Sequence, residues 1–203
     1  MRLSNSEHES HTWRIHEVAP DFRLEDAWAL PAEGGAEDFA ALLDVMASLD
    51  PTKAGSRVSR ALFAIRYRVG EWLGWDEVPD PLAIPNGTET TLSARLPADL
   101  RGSAAGSQLH AKDFTALYGT HDEWAAEISN RTVHAVLQLA WVEQGDGRYR
   151  GQMGIYVKPR GRLGEAYMAA IAPFRHLIVY PAMMRQIERA WRARMAQPRP
   201  DSQ

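Results

Sequence analysis

The chain has 203 residues, 45% of them hydrophobic and 24% charged, with a formal net charge of −3 and no cysteine. That length predicts one domain whose core needs no covalent staples. The absence of thiols excludes disulfides, thiolate zinc sites, iron–sulfur clusters and cysteine nucleophiles, and the near-neutral balance argues against a dedicated nucleic-acid binder.

Residues 1–12 are polar and lack the apolar stretch of a signal peptide, so they are expected to be a loose tail, as is the segment 197–203. A single domain is expected over 13–196. No run approaches the 18 apolar residues of a membrane span, which makes a cytoplasmic address the default. Residues 13–18 alternate as a short strand, with Trp13 and Ile15 opposite Arg14 and His16. Residues 24–30 suggest one or two helical turns, and 31–35 a loop. Phe39, Leu42, Leu43 and Met46 recur at helical spacing, predicting a helix over 37–48 with Glu37 and Asp38 at its positive end. A second helix is expected where Val58, Leu62, Ile65, Val69 and Trp72 form a stripe that Gly74 closes.

After the turn-rich residues 79–87 the period switches from 3.6 to 2. Leu92, Ala94 and Leu96 read as a strand, followed by strands at 114–119, around Trp124–Ala126–Ile128 and along Val133–Ala135–Leu137–Leu139–Trp141. Asp146-Gly147 is a hairpin signal, after which Met153, Ile155 and Val157 continue the alternation. Consecutive antiparallel strands with one oily face need a cover. The cover is a long C-terminal helix whose stripe runs through Leu163, Tyr167, Ala170, Phe174, Leu177, Ile178, Met184, Ile187 and Trp191. Pro173 and Pro181 inside it predict a kink or break. The fold class is therefore α+β: a strand, two helices, an antiparallel sheet and a closing helix.

Two segments carry a resemblance: Arg148-Tyr-Arg-Gly-Gln-Met-Gly-Ile-Tyr-Val-Lys-Pro159, and Tyr167-Met-Ala-Ala-Ile-Ala-Pro-Phe-Arg-His-Leu-Ile-Val-Tyr-Pro181. With Ala19-Pro-Asp-Phe-Arg-Leu-Glu-Asp-Ala-Trp28 and Glu123-Trp-Ala-Ala-Glu-Ile128, they resemble an uncharacterised bacterial family known only as a domain of unknown function. The element order resembles the helix-grip layout of the START-related (SRPBCC, polyketide-cyclase-like) superfamily. There a curved antiparallel sheet wraps a long C-terminal helix around an apolar cavity. The resemblance implies a hydrophobic small-molecule ligand and brings no established activity.

The inward alternation assigns the cavity walls to Trp124, Leu137, Leu139, Trp141, Met153, Ile155, Phe174, Leu177 and Ile178, with a packed core as the alternative. Acid–base candidates are His134, Tyr118, Tyr156 and Tyr180. Strict alternation puts His134 on the opposite, surface side of the sheet. Glu123 and Glu127 share a strand face, either as paired carboxylates or as an exposed edge. Tyr180 flanks the helix stripe, whereas Arg175 and His176 point away from it. They are expected to bind a carboxylate on a neighbouring loop or helix, or the arginine an anionic ligand head.

No cofactor motif and no metal-ligand set emerge, and His8-Glu-Ser-His11 reads as solvated. Three functions remain open. They are a binding module for a hydrophobic small molecule, a cyclase-, dehydratase- or hydrolase-type enzyme, and a cavity-free protein that binds a partner or forms a homodimer. Charge is regional: residues 13–52 hold nine acids against Arg14 and Arg23, while 148–196 hold ten bases against Glu165 and Glu188. The two regions are expected to neutralise each other or to present a basic surface to an acidic partner.

Overall fold

The computed structural model describes residues 1–49, 91–103, 114–129 and 133–196. The helix expected over 58–73, the turns at 79–87 and 130–131, and the segment 197–203 lie outside them. The fold is α+β. Strands β1 (Arg23–Gly34), β2 (Thr115–Gly119), β3 (Glu123–Ser129), β4 (Val133–Gly145) and β5 (Arg148–Pro159) form one antiparallel sheet in the order β1-β5-β4-β3-β2. Strands β2 to β5 are a meander, and β1 closes onto the last of them. Asp146 and Gly147 turn β4 into β5 with φ of 54° and 68°, the left-handed pair that a two-residue hairpin requires.

Helices cover both faces. Toward one side project Leu30, Ala32, Trp124, Ala126, Leu139, Trp141 and Met153, packed with Phe39, Leu42 and Val45 of α3 (Phe39–Ser48) and with Tyr180, Ile187 and Trp191 of the C-terminal helix. Two indoles pin this layer: Trp141 donates to the Gly35 carbonyl at 2.9 Å and Trp191 to that of Glu33 at 3.1 Å. The opposite face buries Leu24, Ala27, Ala29, Leu117, Tyr118, Ala125, Val136, Ala140 and Tyr156. Its cover is built from Leu3, Trp13, Ile15, Val18 and Phe22, with Leu92, Leu96 and Leu100. These residues sit on or beside α1 (Asn5–Glu9), α2 (Ile15–Val18), α4 (Leu92–Arg95) and a 3-10 turn at Ala98–Leu100. Each large apolar side chain removed from water contributes about 1.5–3 kcal/mol, so both layers bear on stability.

This double cover overturns five expectations. Residues 24–30, and most of the loop expected at 31–35, are strand, because both faces of β1 are buried and alternation is hidden: Leu24, Ala27 and Ala29 face one layer, Leu30 and Ala32 the other. Residues 15–18 are a helical turn, as are 92–95, since each is capped from the sheet by a carboxylate of β3. The first twelve residues are not loose. Met1 donates to the Ala29 carbonyl at 2.9 Å, Leu3 to that of Ala27 at 2.9 Å, and Asn5 to that of Leu24 at 2.7 Å. They thereby seal the outer edge of β1, whose unpaired amides and carbonyls would otherwise face water.

The C-terminal helix begins as α5 (Gly161–Phe174), opens into a π-helical turn (Arg175–Val179) and continues as α6 (Tyr180–Met195). The expected break is thus a π turn between the two prolines, neither of which offers an N–H to the helix ladder. A residue inserted per turn rotates everything beyond it by about 100°. The buried set accordingly moves from Met168 in α5 to Tyr180, Ile187 and Trp191 in α6, and Leu177 between them is 77% exposed. Leu177 is therefore not a wall residue. Among the described residues no helix is long and apolar enough to cross a membrane.

Deleting residues 1–9 removes the edge seal together with buried Leu3 and His8. The expected loss is about 3 kcal/mol, read as a lower urea midpoint with a retained far-ultraviolet spectrum. An unchanged midpoint would mean that the segment packs without contributing.

Candidate functional site

Polar side chains expected at the surface of the sheet lie under the second layer. Glu123, 1% exposed, accepts from the Arg14 and Ile15 amides at the start of α2 (2.7 and 3.2 Å), from the Tyr118 hydroxyl (2.7 Å) and from Gln138 Nε2 (2.7 Å). Four donors offset the cost of burying a carboxylate. Because Gln138 donates to Glu123, its Oε1 is left to accept from His8 Nε2 at 2.8 Å, and His8 Nδ1 meets Gln152 Oε1 at 2.7 Å. Gly154 makes room for the imidazole: a Cβ there would lie 2.9 Å from His8 Nε2 and 2.8 Å from Gln138 Oε1.

Glu127 caps the second short helix in the same way. It accepts from the Leu92 amide at 3.1 Å, from the Ser93 hydroxyl at 3.4 Å and from His134 Nε2 at 2.7 Å. Phe22 packs edge-on against the His134 ring at 4.9 Å. His134 is therefore buried rather than at a surface, and Glu123 and Glu127 are helix caps rather than an exposed edge. The Tyr156 hydroxyl meets His16 Nε2 at 3.3 Å. The four acid–base candidates thus divide between the two faces: Tyr118 bonds Glu123, His134 bonds Glu127 and Tyr156 meets His16 on one, while Tyr180 bonds Asp26 on the other.

The cluster at Asp26 is on the other side of the sheet, against the C-terminal helix. The β1–β5 register shifts between Leu24 and Asp26, so that Leu24 joins one layer and fully buried Asp26 faces the other. A bulge of this kind re-aims a side chain. Asp26 Oδ1 is 2.6 Å from His176 Nε2, and Oδ2 accepts from the Tyr180 hydroxyl at 2.8 Å. Arg175 Nη2 lies 3.5 Å from Asp26 Oδ2 and 3.1 Å from Glu25 Oε1, and Arg2 Nη2 lies 3.7 Å from Asp26 Oδ1. The π turn presents Arg175 and His176, and the first residue of α6, Tyr180, completes the set. Arg175 and His176 do bind carboxylates, but these come from strand β1, as Glu25 and Asp26, and not from a loop or helix. Trp28, two residues along β1, packs its ring 4.8 Å from Tyr180.

The bond to Asp26 leaves His176 with Nδ1 free of any protein partner among the described residues, on a side chain 29% exposed. An imidazole held by a carboxylate and open at its second nitrogen can accept or deliver a proton. Two donors beside it are buried without a partner: Arg175 Nε and Trp28 Nε1. Sequence reasoning missed Asp26 and Trp28, which it placed on a helix, and His8, which it placed in a tail; only the bulge and the edge seal reveal them.

Of the expected walls, Trp124, Leu139, Trp141 and Met153 are buried in the helix-facing layer, and Leu137, Ile155, Phe174 and Ile178 are half-buried. A separate open cleft of about 360 Å³ lies by the β4–β5 hairpin, between His11, Trp13, His121, Asp122, Trp141 and Tyr149. None of the paired clusters opens into it. No group of three or more His, Asp or Glu side chains able to hold a metal occurs among the described residues. The acidic and basic ends of the chain neutralise each other in part, through Glu25–Arg175, Asp21–Lys158 and Glu33–Arg150.

An antiparallel sheet closed by a C-terminal helix defines the class of fold. The sequence profile of a family described as "Protein of unknown function (DUF2867)" matches residues 18–182, and the chain belongs to that family. No curated protein and no solved structure matches it.

Burial raises the pKa of Tyr118, Tyr156 and Tyr180, and the facing carboxylates Glu123 and Asp26 raise it further. Above pH 10 the unfolded chain loses these phenolic protons while the folded one keeps them. The stability they contribute is complete below pH 10 and falls as pH rises. Unfolding free energies from urea titrations between pH 9 and 11.5 are expected to fall by up to about 1.4 kcal/mol per pH unit per tyrosine. Tyr180→Phe should make that decline shallower; an unchanged slope would show that its hydroxyl ionises freely in the folded state.

Proposed function

We propose that this protein binds a hydrophobic small molecule between the sheet and the C-terminal helix, as members of the helix-grip superfamily it resembles do. One observation carries the reading. Leu137 and Ile155 pair across the two central strands β4 and β5, where a sheet is normally most deeply covered, yet both are only half-buried. Their neighbours two residues on, Leu139 and Met153, are fully buried. Ile171 of α5 packs in the same cluster as Ile155 and is half-buried as well. An apolar row left partly uncovered in the middle of a sheet is the form of a ligand space with apolar walls. The sheet order, with β1 beside β5, and the long helix at the C-terminus support the superfamily relationship.

The test is to fill the space. Leu137→Trp and Ile155→Trp are expected to weaken binding of an environment-sensitive apolar dye by at least tenfold while the melting temperature stays within a few degrees. Native mass spectrometry of protein from its own host should show an added apolar mass that the two variants lack. Dye binding unaffected by either substitution would overturn the reading.

An acid–base enzyme in the same space is the second reading, favoured by the 2.6 Å Asp26–His176 bond. Hydrolysis of p-nitrophenyl esters of medium chain length should then fall at least tenfold in His176→Gln with dye binding intact. Equal rates in the two proteins would rule this reading out.

A further inference from the structure

The sheet register connects the two regions described above. Asp26 of β1 pairs with Ile155 of β5, Ile155 with Leu137 of β4, and Leu137 with Ala126 of β3. Residues paired across strands share a face, so these four form one transverse row on the helix side. The partly uncovered pair Ile155–Leu137 therefore ends, one strand away, at Asp26 and the side chains gathered on it.

That end of the row is rich in donors and short of acceptors. Asp26 already serves His176, Tyr180, Arg175 and Arg2, and Glu25 serves Arg175 and Arg23. Arg175 Nε and Trp28 Nε1 remain buried with nothing to donate to. An arginine Nε and an indole N–H can only donate, so neither can be satisfied by another donor. Buried donors without a partner also occur at Arg14 Nε, Trp124 Nε1 and Arg160 Nε. Arg175 Nε and Trp28 Nε1 differ in flanking the same two residues, His176 and Tyr180, at the end of the apolar row, where an acceptor from outside the chain would satisfy them.

We propose that the ligand of the apolar space carries a carboxylate, or an equivalent anionic oxygen head, and that Arg175 Nε and Trp28 Nε1 bind that head at the β1 end of the row. The proposal rests on the apolar space argued above and adds the polarity and orientation of its occupant. Arg175 supplies the charge, the π turn gives it its place, and Asp26 and Glu25 hold it there without consuming Nε. The apolar tail runs from Trp28 across Ile155 and Leu137.

The experiment measures displacement of the apolar dye by decanoate, decanol and decylamine, which share a chain and differ in the head. Decanoate is expected to bind at least tenfold more tightly than decanol, and decylamine more weakly than either. Trp28→Phe keeps an aromatic ring but removes the donor, and Arg175→Gln removes the charge. Each should reduce the preference for decanoate over decanol to about threefold or less while leaving decanol unchanged. Equal affinity for all three in the unaltered protein, with Leu137→Trp still blocking them, overturns the head-group site and leaves the apolar space standing. A preference for decanoate that survives both substitutions also overturns it. Failure of all three to displace the dye overturns both readings.

Discussion

The structure depends on one constraint: a five-stranded antiparallel sheet buried on both faces. An antiparallel sheet with one wet side can place its polar residues there at no cost. Here the side that would be wet is roofed by α1, α2, α4 and the segments between them, so every polar side chain on it must find a partner within the fold. Glu123 and Glu127 meet that demand by accepting from the backbone at the start of α2 and α4. The short helices, too brief to be stable alone, are held by the carboxylates they cover. Each half of this arrangement requires the other.

The same constraint explains the spread of titratable groups. His8, His134, Tyr118 and the two glutamates are buried in chains of hydrogen bonds that are nearly complete, which fixes the position of the roof. Against the C-terminal helix the balance differs. Asp26 is more than satisfied, whereas Arg175 Nε and Trp28 Nε1 are not satisfied at all. Two unsatisfied donors here stand beside an incompletely covered apolar row, although the individual side chains on this side are no more polar.

Much of the architecture could be read from the chain. The meander, the Asp146-Gly147 turn, α3 and the long closing helix follow from alternation, turn chemistry and helical spacing, each of which is local. The helix-facing side of the sheet from Trp124 to Met153 follows too, because period 2 fixes the faces once one is known. What could not be read was everything set by the second roof. Burial on both sides erased the alternation of β1, so Leu24-Glu-Asp-Ala-Trp-Ala-Leu30 looked helical. A carboxylate more than a hundred residues away decides that residues 15–18 form a turn of helix. His8 gave no signal in a polar segment, since its partners Gln138 and Gln152 are on strands at the other end of the chain. Leu177 was misassigned for a different reason: a π turn breaks the phase on which any helical stripe depends.

The position of β1 also has a bearing on how the chain is made. Its pairing partner β5 is synthesised more than a hundred residues later, so no local hairpin can shelter β1 in the meantime. Until β5 arrives, the edge of β1 opposite the N-terminal seal has no strand to pair with, a state prone to wrong partners. Topology of this kind slows folding, since the loop must close before its contacts contribute. The β2–β5 meander, by contrast, can assemble from neighbours. Sheet closure by β1, with the residues before it sealing the edge, is then the late and committing event, and Asp26 reaches His176 and Tyr180 only when it is complete. The apolar row and its polar end would come into being together, in the last step of folding.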